Sequence, residues 1–447
     1  MSPGLRVTSP RRTRGSCDRR FETGSSGAFD IGLERFRGEA HGQQVLSSGW
    51  HRQLAIGAER ARGAAWVSRS ESLGVRTDWK SRRQLTQRES QARAEGINTR
   101  GSRPQAWDWA GSQACKRGGE SMRASLEEIA FLGEKAVRAS NGVLTFVVVP
   151  AWGSNLISLV HEPTGVELLR VPESAETFWQ RPALYGTPVL FPPNRIADGR
   201  FTYRGREYRF DINEPARGNH IHGFVHKRPW ELVRAEMDAS GRAIVETRFD
   251  VARSADRDEI LRQFPHHFVL TLRLTLDGAT LHKEIEVYNA GSEPFPFGVG
   301  FHTTFVCPEG ARFALDVAKR WRLNDRMVPT GELEDIPFRD ELVRGMDLTG
   351  VALDDAFFVG ETPARSAATL SYPAGRARLT VRYEADENFR HWGVYNAGGR
   401  SGFVCPEPYT WITNAPNLNL PASLTGLQEA APGERKLLAT TITVSTG

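Results

Sequence analysis

Residues 268–276 set Phe268, Leu270, Leu272, Leu274 and Leu276 at every second position, with Val269, Thr271, Arg273 and Thr275 between them. A period of two puts the five large apolar side chains on one face of an extended chain, and no helix does the same. Asp277-Gly278 follows, a strong hairpin signal, and the next strand is expected over 280–289. The chain is thereby committed to a half-buried antiparallel sheet, which must bury its apolar face against a second layer.

Other segments repeat the theme. Residues 143–149 (VLTFVVV) are β-branched and apolar. Residues 376–383 set Ala377, Leu379, Val381 and Tyr383 against Arg376, Arg378, Thr380 and Arg382, and 437–444 (LLATTITV) close the pattern. Long helical periodicity is absent; a single short helical turn is expected over 126–131. Some 320 residues of strands joined by Gly/Pro turns predict an all-β chain, a large antiparallel β-sandwich with few short helices. No internal repeat and no linker interrupt it after residue 125.

Residues 1–121 have another texture, rich in Arg, Ser, Gly and Gln and lacking sustained periodicity. They carry 22 Lys and Arg against 12 Asp and Glu, whereas the remainder of the chain carries 36 against 41. The excess positive charge therefore belongs to this stretch, and the body is mildly acidic, which argues against a nucleic-acid partner for the body. The composition predicts a disordered basic extension over 1–121, followed by one domain over 122–447. KRGGES, residues 116–121, directly precedes Met122. Purine-rich codons for these residues can spell a ribosome-binding site, so translation of the native protein is expected to start at Met122.

No stretch reaches the roughly 18 apolar residues of a membrane span, and no apolar segment follows the basic N-terminus as in a secretory signal. Four cysteines, Cys17, Cys115, Cys307 and Cys405, are too few and scattered for a disulfide scaffold. The expected compartment is the cytoplasm, with no membrane partner.

The chemistry-bearing residues lie in four short motifs. Residues 191–201 read FPPNRIADGRF and 219–223 read NHIHG. Arg195 brings a fixed cation with a fork of donors, and His222 donates, accepts or carries charge near neutral pH. His302 stands in GFHTTF behind Gly298 and Gly300, and Glu407 stands between Pro406 and Pro408 ahead of Tyr409 and Trp411. Together they point to proton transfer on a polar, uncharged ligand. The triplet His220, His222 and His226 also admits a metal reading, because alternate strand residues share a face. Yet the spacing lacks the glutamate that such sites place after the second histidine. No nucleophile elbow, P-loop or dinucleotide fingerprint is present, and no cofactor or metal is called for.

Taken in order, Asn194-Arg195-Ile196 with Gly199-x-Phe201, His222-Gly223, Gly300-x-His302, Asp354-x-x-Phe357 and the late Glu407 resemble the aldose 1-epimerase (mutarotase) family, bacterial type, over roughly residues 125–445. The closing NAPNLNLP, TGL and APGE segments are similar to the same group. The resemblance implies the galactose mutarotase-like supersandwich and a cofactor-independent isomerase that interconverts the α and β anomers of a monosaccharide. It implies Glu407 as general base at the anomeric hydroxyl and His302 as general acid at the ring oxygen. Arg195 and His222 would hold the ring-side oxygens, with Asn194 beside them, and Asp354 would bind sugar hydroxyls. A monomer or homodimer is expected.

Two departures stand out. Where many relatives read Asp-His-x-Phe, this chain has Asp354-Asp355-Ala356-Phe357, so either acid is a candidate. Where many read His-Pro-Tyr-Phe, it has His302-Thr303-Thr304-Phe305, which bears on sugar preference. A hexose-phosphate mutarotase stays open because Arg204, Arg206 and Arg209 lie close in sequence to the ligand-holding motif. A non-catalytic carbohydrate-binding protein on the same fold is the other alternative.

Overall fold

The computed structural model describes residues 124–447; the extension over 1–121 expected from composition lies outside the described residues. The predicted hairpin forms as Phe268–Asp277 against Thr280–Asn289, in continuous register from Phe268↔Asn289 to Asp277↔Thr280. Its turn is the pair Gly278-Ala279, and Gly278 has φ 54°. A positive φ at the first turn position matches the twist of the flanking strands, and glycine adopts it without a Cβ clash.

This hairpin supplies the third and fourth strands of a nine-stranded antiparallel sheet. In spatial order the strands are Glu231–Met237, Ala243–Asp250, Phe268–Asp277, Thr280–Asn289, Arg435–Thr446, Ala377–Ala385, Ser366–Ala374, Arg312–Leu315 and Met346–Asp347. A second sheet runs Pro329–Glu334, Lys319–Leu323, Asp354–Phe358, His391–Tyr395, Phe403–Tyr409, Gly300–Phe301 and Val189–Leu190, with Phe305–Val306 also paired to Phe403–Tyr409. The two layers share one apolar core. Leu270, Leu272, Val381 and Tyr383 of the first sheet and Phe357, Trp392 and Val404 of the second belong to the same buried cluster. Tyr383 meets Trp392 edge-on with ring centroids 5.6 Å apart, a favoured aromatic geometry. Each fully buried side chain of Leu or Phe size stabilises this core by roughly 1.5–3 kcal/mol.

One local expectation is overturned. The helical turn predicted over 126–131 is instead the strand Ser125–Phe131, paired residue for residue with Glu134–Ser140. The apolar spacing of Leu126, Ile129 and Ala130 mimics a helix. The connection decides otherwise: Leu132 and Gly133 both have positive φ, at 48° and 93°, the two-residue turn that closes a tight hairpin. This hairpin opens a five-stranded sheet that continues through Leu144–Val149, Asn155–His161 and Val166–Glu167. Under it Trp152 stacks on Phe178 at 4.1 Å, which seats the short helix Ala175–Gln180. The segment after that helix forms part of a cleft wall. Among the described residues no helix is long and apolar enough to cross a membrane.

Candidate functional site

Three glycine positions explain how the motifs are brought together. Gly223 has φ 63°, and a Cβ there would lie 2.0 Å from the Phe191 carbonyl oxygen. The turn after His222 can thus press against the segment that precedes Asn194 only if residue 223 has no side chain. Gly300 faces the Tyr409 ring, which a Cβ would meet at 2.3 Å. Gly393 lies directly opposite Glu407 in the ladder, leaving room over the carboxylate.

Asn194, at φ 54°, turns the chain. Its Oδ1 accepts from the Arg195 amide at 2.9 Å, and its carbonyl accepts from the His222 amide at 3.0 Å. The strand Arg195–Ala197 then pairs with Asn219–Ile221. Glu407 lies within Phe403–Tyr409, paired on one side with His391–Tyr395. On the other side its contacts are Phe305↔Val404 and Gly300↔Tyr409. Residues 405–408 have no strand partner there, which is where Pro406 and Pro408 are tolerated.

Asn194, Arg195, His222, His302, Asp354 and Glu407 all line one cleft of about 640 Å³, within the usual range for small-ligand sites. At its floor His302 Nε2 lies 3.2 Å from Glu407 Oε1, with side-chain exposures of only 6% and 5%. Tyr409 donates a hydrogen bond to Glu407 Oε2 and accepts one from Asn194 Nδ2 at 3.3 Å. Burial pushes the Glu407 carboxyl up to about 8; the Tyr409 bond and Arg195 oppose that shift, and Asp354 adds to it. Burial likewise pulls His302 down to about 4. Both shifts have the same cause: a dry site disfavours the charged form of either group. Both shifts favour an uncharged pair, a protonated carboxyl beside a neutral imidazole.

Arg195 is clamped by Glu214, Nε to Oε2 at 2.9 Å and Nη2 to Oε1 at 3.0 Å. This two-point clamp fixes the plane of the guanidinium. It leaves Nη1 with a single 3.4 Å contact to Asn194 Oδ1. The His222 ring stands edge-on to His302 with centroids 5.3 Å apart, and its Nδ1 is buried with no protein partner. Burial, with the neighbouring histidines and Arg195 adding to it, holds His222 well below its ordinary range. It is therefore a neutral donor or acceptor at physiological pH.

The two adjacent acids differ in what they meet. Asp354 lines the cleft, where partial desolvation raises its carboxyl. Asp355 bonds Arg320 at 3.3 Å and also lines an adjoining recess with Asn194, Arg195, Asp354 and Glu407. The three histidines also divide. His220 shares a hydrogen bond with the Asp211 carbonyl at 2.8 Å and packs against Phe210 and Phe224, so it does not converge with His222 on an ion. His226, by contrast, lines the cleft and is pulled down by burial to about 3. In sequence His226 counts only as a member of the histidine triplet, with His222 as the expected ligand-holding residue. Glu214 acts on the site through its contact with Arg195, and Tyr409 joins its sequence neighbour Glu407 to the distant Asn194.

Arg204, Arg206 and Arg209 do not line the cleft. Each pairs with a carboxylate elsewhere: Glu429, Glu293 and Glu207. The cleft instead carries Arg181 and Lys227, which have no ion-pair partner among the described residues. One further donor set is present. Ligand atoms of His302, Cys405 and Glu407 lie within 4.8 Å of one another, an N, S, O trio of the type that borderline-soft cations select. The Cys405 thiol shares a hydrogen bond with Thr304 at 3.3 Å, and burial pushes it well above its ordinary range.

A family model described as aldose 1-epimerase matches residues 135–443. A galactose mutarotase-like protein from Clostridium acetobutylicum has a TM-score of 0.67 at 28% identity, covering 72% of this chain and 99% of its own. Galactose 1-epimerase from Lactobacillus acidophilus shares the fold with a TM-score of 0.55 at 17% identity, covering 73% of this chain and 99% of its own. The uncharacterized Escherichia coli protein YihR is 31% identical over 143 residues, 31% of this chain and 41% of that relative. The sequence match thus spans less than half the length of that curated relative.

Proposed function

The chain belongs to the aldose 1-epimerase family, and on that premise we propose that it interconverts the α and β anomers of a free aldose by acid–base ring opening and reclosure, without a cofactor. The observation that carries the reading is the buried His302–Glu407 contact of 3.2 Å on the floor of the cleft. Opening a hemiacetal requires a proton removed from the anomeric hydroxyl and another added to the ring oxygen. Glu407 takes the first and His302 gives the second. The C1–C2 bond of the open aldehyde turns, and the two groups reverse roles as the ring recloses on the other face.

The resting proton lies on Glu407, so it must cross to His302 before the carboxylate can act as base. Two contacts favour that transfer. Tyr409 donates to Oε2, and the charge of Arg195 lowers the carboxyl. The reaction neither consumes nor releases protons overall, so a pair holding one proton is sufficient. Arg195 and His222 steady the developing charge on oxygen, with Asn194 and Asp354 holding hydroxyls.

The test is polarimetry of fresh α-galactose and α-glucose with purified protein. Mutarotation faster than the buffer rate is expected; a protein that binds these sugars without accelerating either is a carbohydrate-binding module on this fold instead. The pH profile is a sharper check. Below about 4 His302 gains a second proton for the pair, and no base remains. Above about 8 Glu407 loses the shared proton, and no acid remains. Activity should therefore be flat across the neutral range and fall at both limbs, which report the pair rather than either residue. A single limb near the ordinary carboxylate range would contradict the shared-proton arrangement.

A second reading, a hexose phosphate as substrate, is favoured by the unpartnered Arg181 and Lys227 in the cleft. Free cations beside a ligand site attract an anionic substituent. If kcat/KM for glucose 6-phosphate exceeds that for glucose by tenfold or more, and the preference collapses in Lys227→Met, this reading replaces the first. Equal values retain the neutral aldose.

A further inference from the structure

In the strand Thr280–Asn289 the buried positions are 281, 283, 285, 287 and 289. Leu281, Ile285 and Val287 fit that apolar register; Lys283 does not. It is 1% exposed, in the middle of the sandwich. Its ammonium group would have to be stripped of water there, and burial accordingly holds the amine well below its ordinary range. Such a residue costs the fold stability unless its amine is satisfied.

The amine is satisfied by a closed ring of side chains. Lys283 Nζ donates to Thr187 Oγ1 and contacts the Tyr383 hydroxyl at 3.4 Å. Thr187 and Thr303 share a hydrogen bond of 2.8 Å, and Thr303 donates to Tyr383 at 3.1 Å. Lys283 Nζ also lies 3.9 Å from the centre of the Phe301 ring. Phe301 and Thr303 are the two neighbours of His302. The backbone is tied on the same side of the ring: the His302 amide donates to Pro188 and the Thr304 amide to Gly186. The ring thus joins the large sheet to residues 186–188 and 301–304, the two segments on the His302 side of the cleft floor, and none of its four members lines the cleft itself.

We propose that Lys283 is a positioning residue, the keystone of a buried Lys283–Thr187–Thr303–Tyr383 ring that holds His302 at hydrogen-bond distance from Glu407. The ring rests on the acid–base reading of His302 for its catalytic consequence, but not for its structural one. The sheet could bury a leucine at 283 at less cost. A polar ring closed within the core instead fixes one arrangement of residues 301–304, because each member loses a partner if any other shifts.

The experiment pairs kinetics with a spectroscopic readout that does not require activity. Lys283→Met and Thr303→Val are made in the full chain, the second removing only one hydroxyl. Each is expected to lower kcat for the best aldose by about tenfold to a hundredfold, as for a displacement of about 1 Å, with KM changed less than twofold. In histidine-selective ¹⁵N spectra, the His302 resonances should shift while those of the half-buried His282 stay. Variants that fold with wild-type kcat and unchanged His302 resonances would overturn the proposal. If Lys283→Met does not fold, Thr303→Val decides by the same criteria. If wild-type protein shows no mutarotation, the acid–base reading fails, and the His302 spectra alone still decide whether the ring positions that residue.

Discussion

Glu407→Gln and His302→Asn should each reduce mutarotation by about 10²–10⁴-fold while leaving the sandwich folded. That loss corresponds to about 3–5 kcal/mol of transition-state stabilisation. Glutamine keeps the shape of the side chain and an oxygen that can accept the Tyr409 hydroxyl, but it cannot take a proton from the anomeric hydroxyl. Asparagine at 302 keeps a polar donor near Glu407 and removes the group that returns a proton to the ring oxygen. The two residues exchange a single proton across 3.2 Å, so they act as a unit. The double variant should therefore be little worse than the poorer single one. Stopped polarimetry on α-galactose, with circular dichroism to confirm folding, checks this. Full activity in both single variants, or losses that simply multiply in the double, would remove the pair from the mechanism.

The second large effect is expected from a residue that carries no functional group. In Gly300→Ala the new methyl group would sit 2.3 Å from Tyr409 Cδ1, 2.7 Å from Cε1 and 2.8 Å from Pro193 Cβ. Tyr409 is fully buried and cannot swing into solvent. Its ring must shift, and its hydroxyl then leaves the Glu407 carboxylate and the Asn194 amide together. Overpacking of this kind costs roughly 1–3 kcal/mol of stability. Loss of the Tyr409 donor raises the Glu407 carboxyl further and makes the working carboxylate rarer. We expect kcat to fall by about 10²-fold and the alkaline limb of the pH profile to move upward. Gly298→Ala is the control. Its Cβ would meet the Trp411 ring at 2.3 Å, so it carries the steric cost without touching the Glu407–Tyr409 bond. If Gly298→Ala reproduced the shift of the alkaline limb, the effect of Gly300→Ala would be general strain.

The alternation at 268–289 was legible because a strand's period of two is a local property, and the apolar side of that pattern is the side that the second sheet covers. The hairpin over 125–140 was not. There the apolar spacing is ambiguous, and Leu132 takes a positive φ that its residue type does not advertise. Among the site residues, Arg195, His222, His302 and Glu407 were visible as polar groups set in glycine- and proline-marked segments. Lys283 was visible only as a break in an apolar register, whose meaning depends on what the opposite sheet presents. Glu214 looked ordinary, since its role is a contact with Arg195, and the contact of Tyr409 with Asn194 lies 215 positions away in the chain.

By itself, then, the sequence determined the layered antiparallel fold and the ordered set of motifs, because side-chain periodicity, turn chemistry and residue type act over a few residues. Only the tertiary structure decided which groups work together. It set Asp354 in the cleft and tied Asp355 to Arg320. It turned His220 into the core and His226 into the cleft. It also buried His302 3.2 Å from Glu407, where desolvation disfavours the charged form of either group. The physical reason is that burial, desolvation and charge proximity depend on residues far apart in the chain, such as 302 and 407, and those come into contact only when the sheets close.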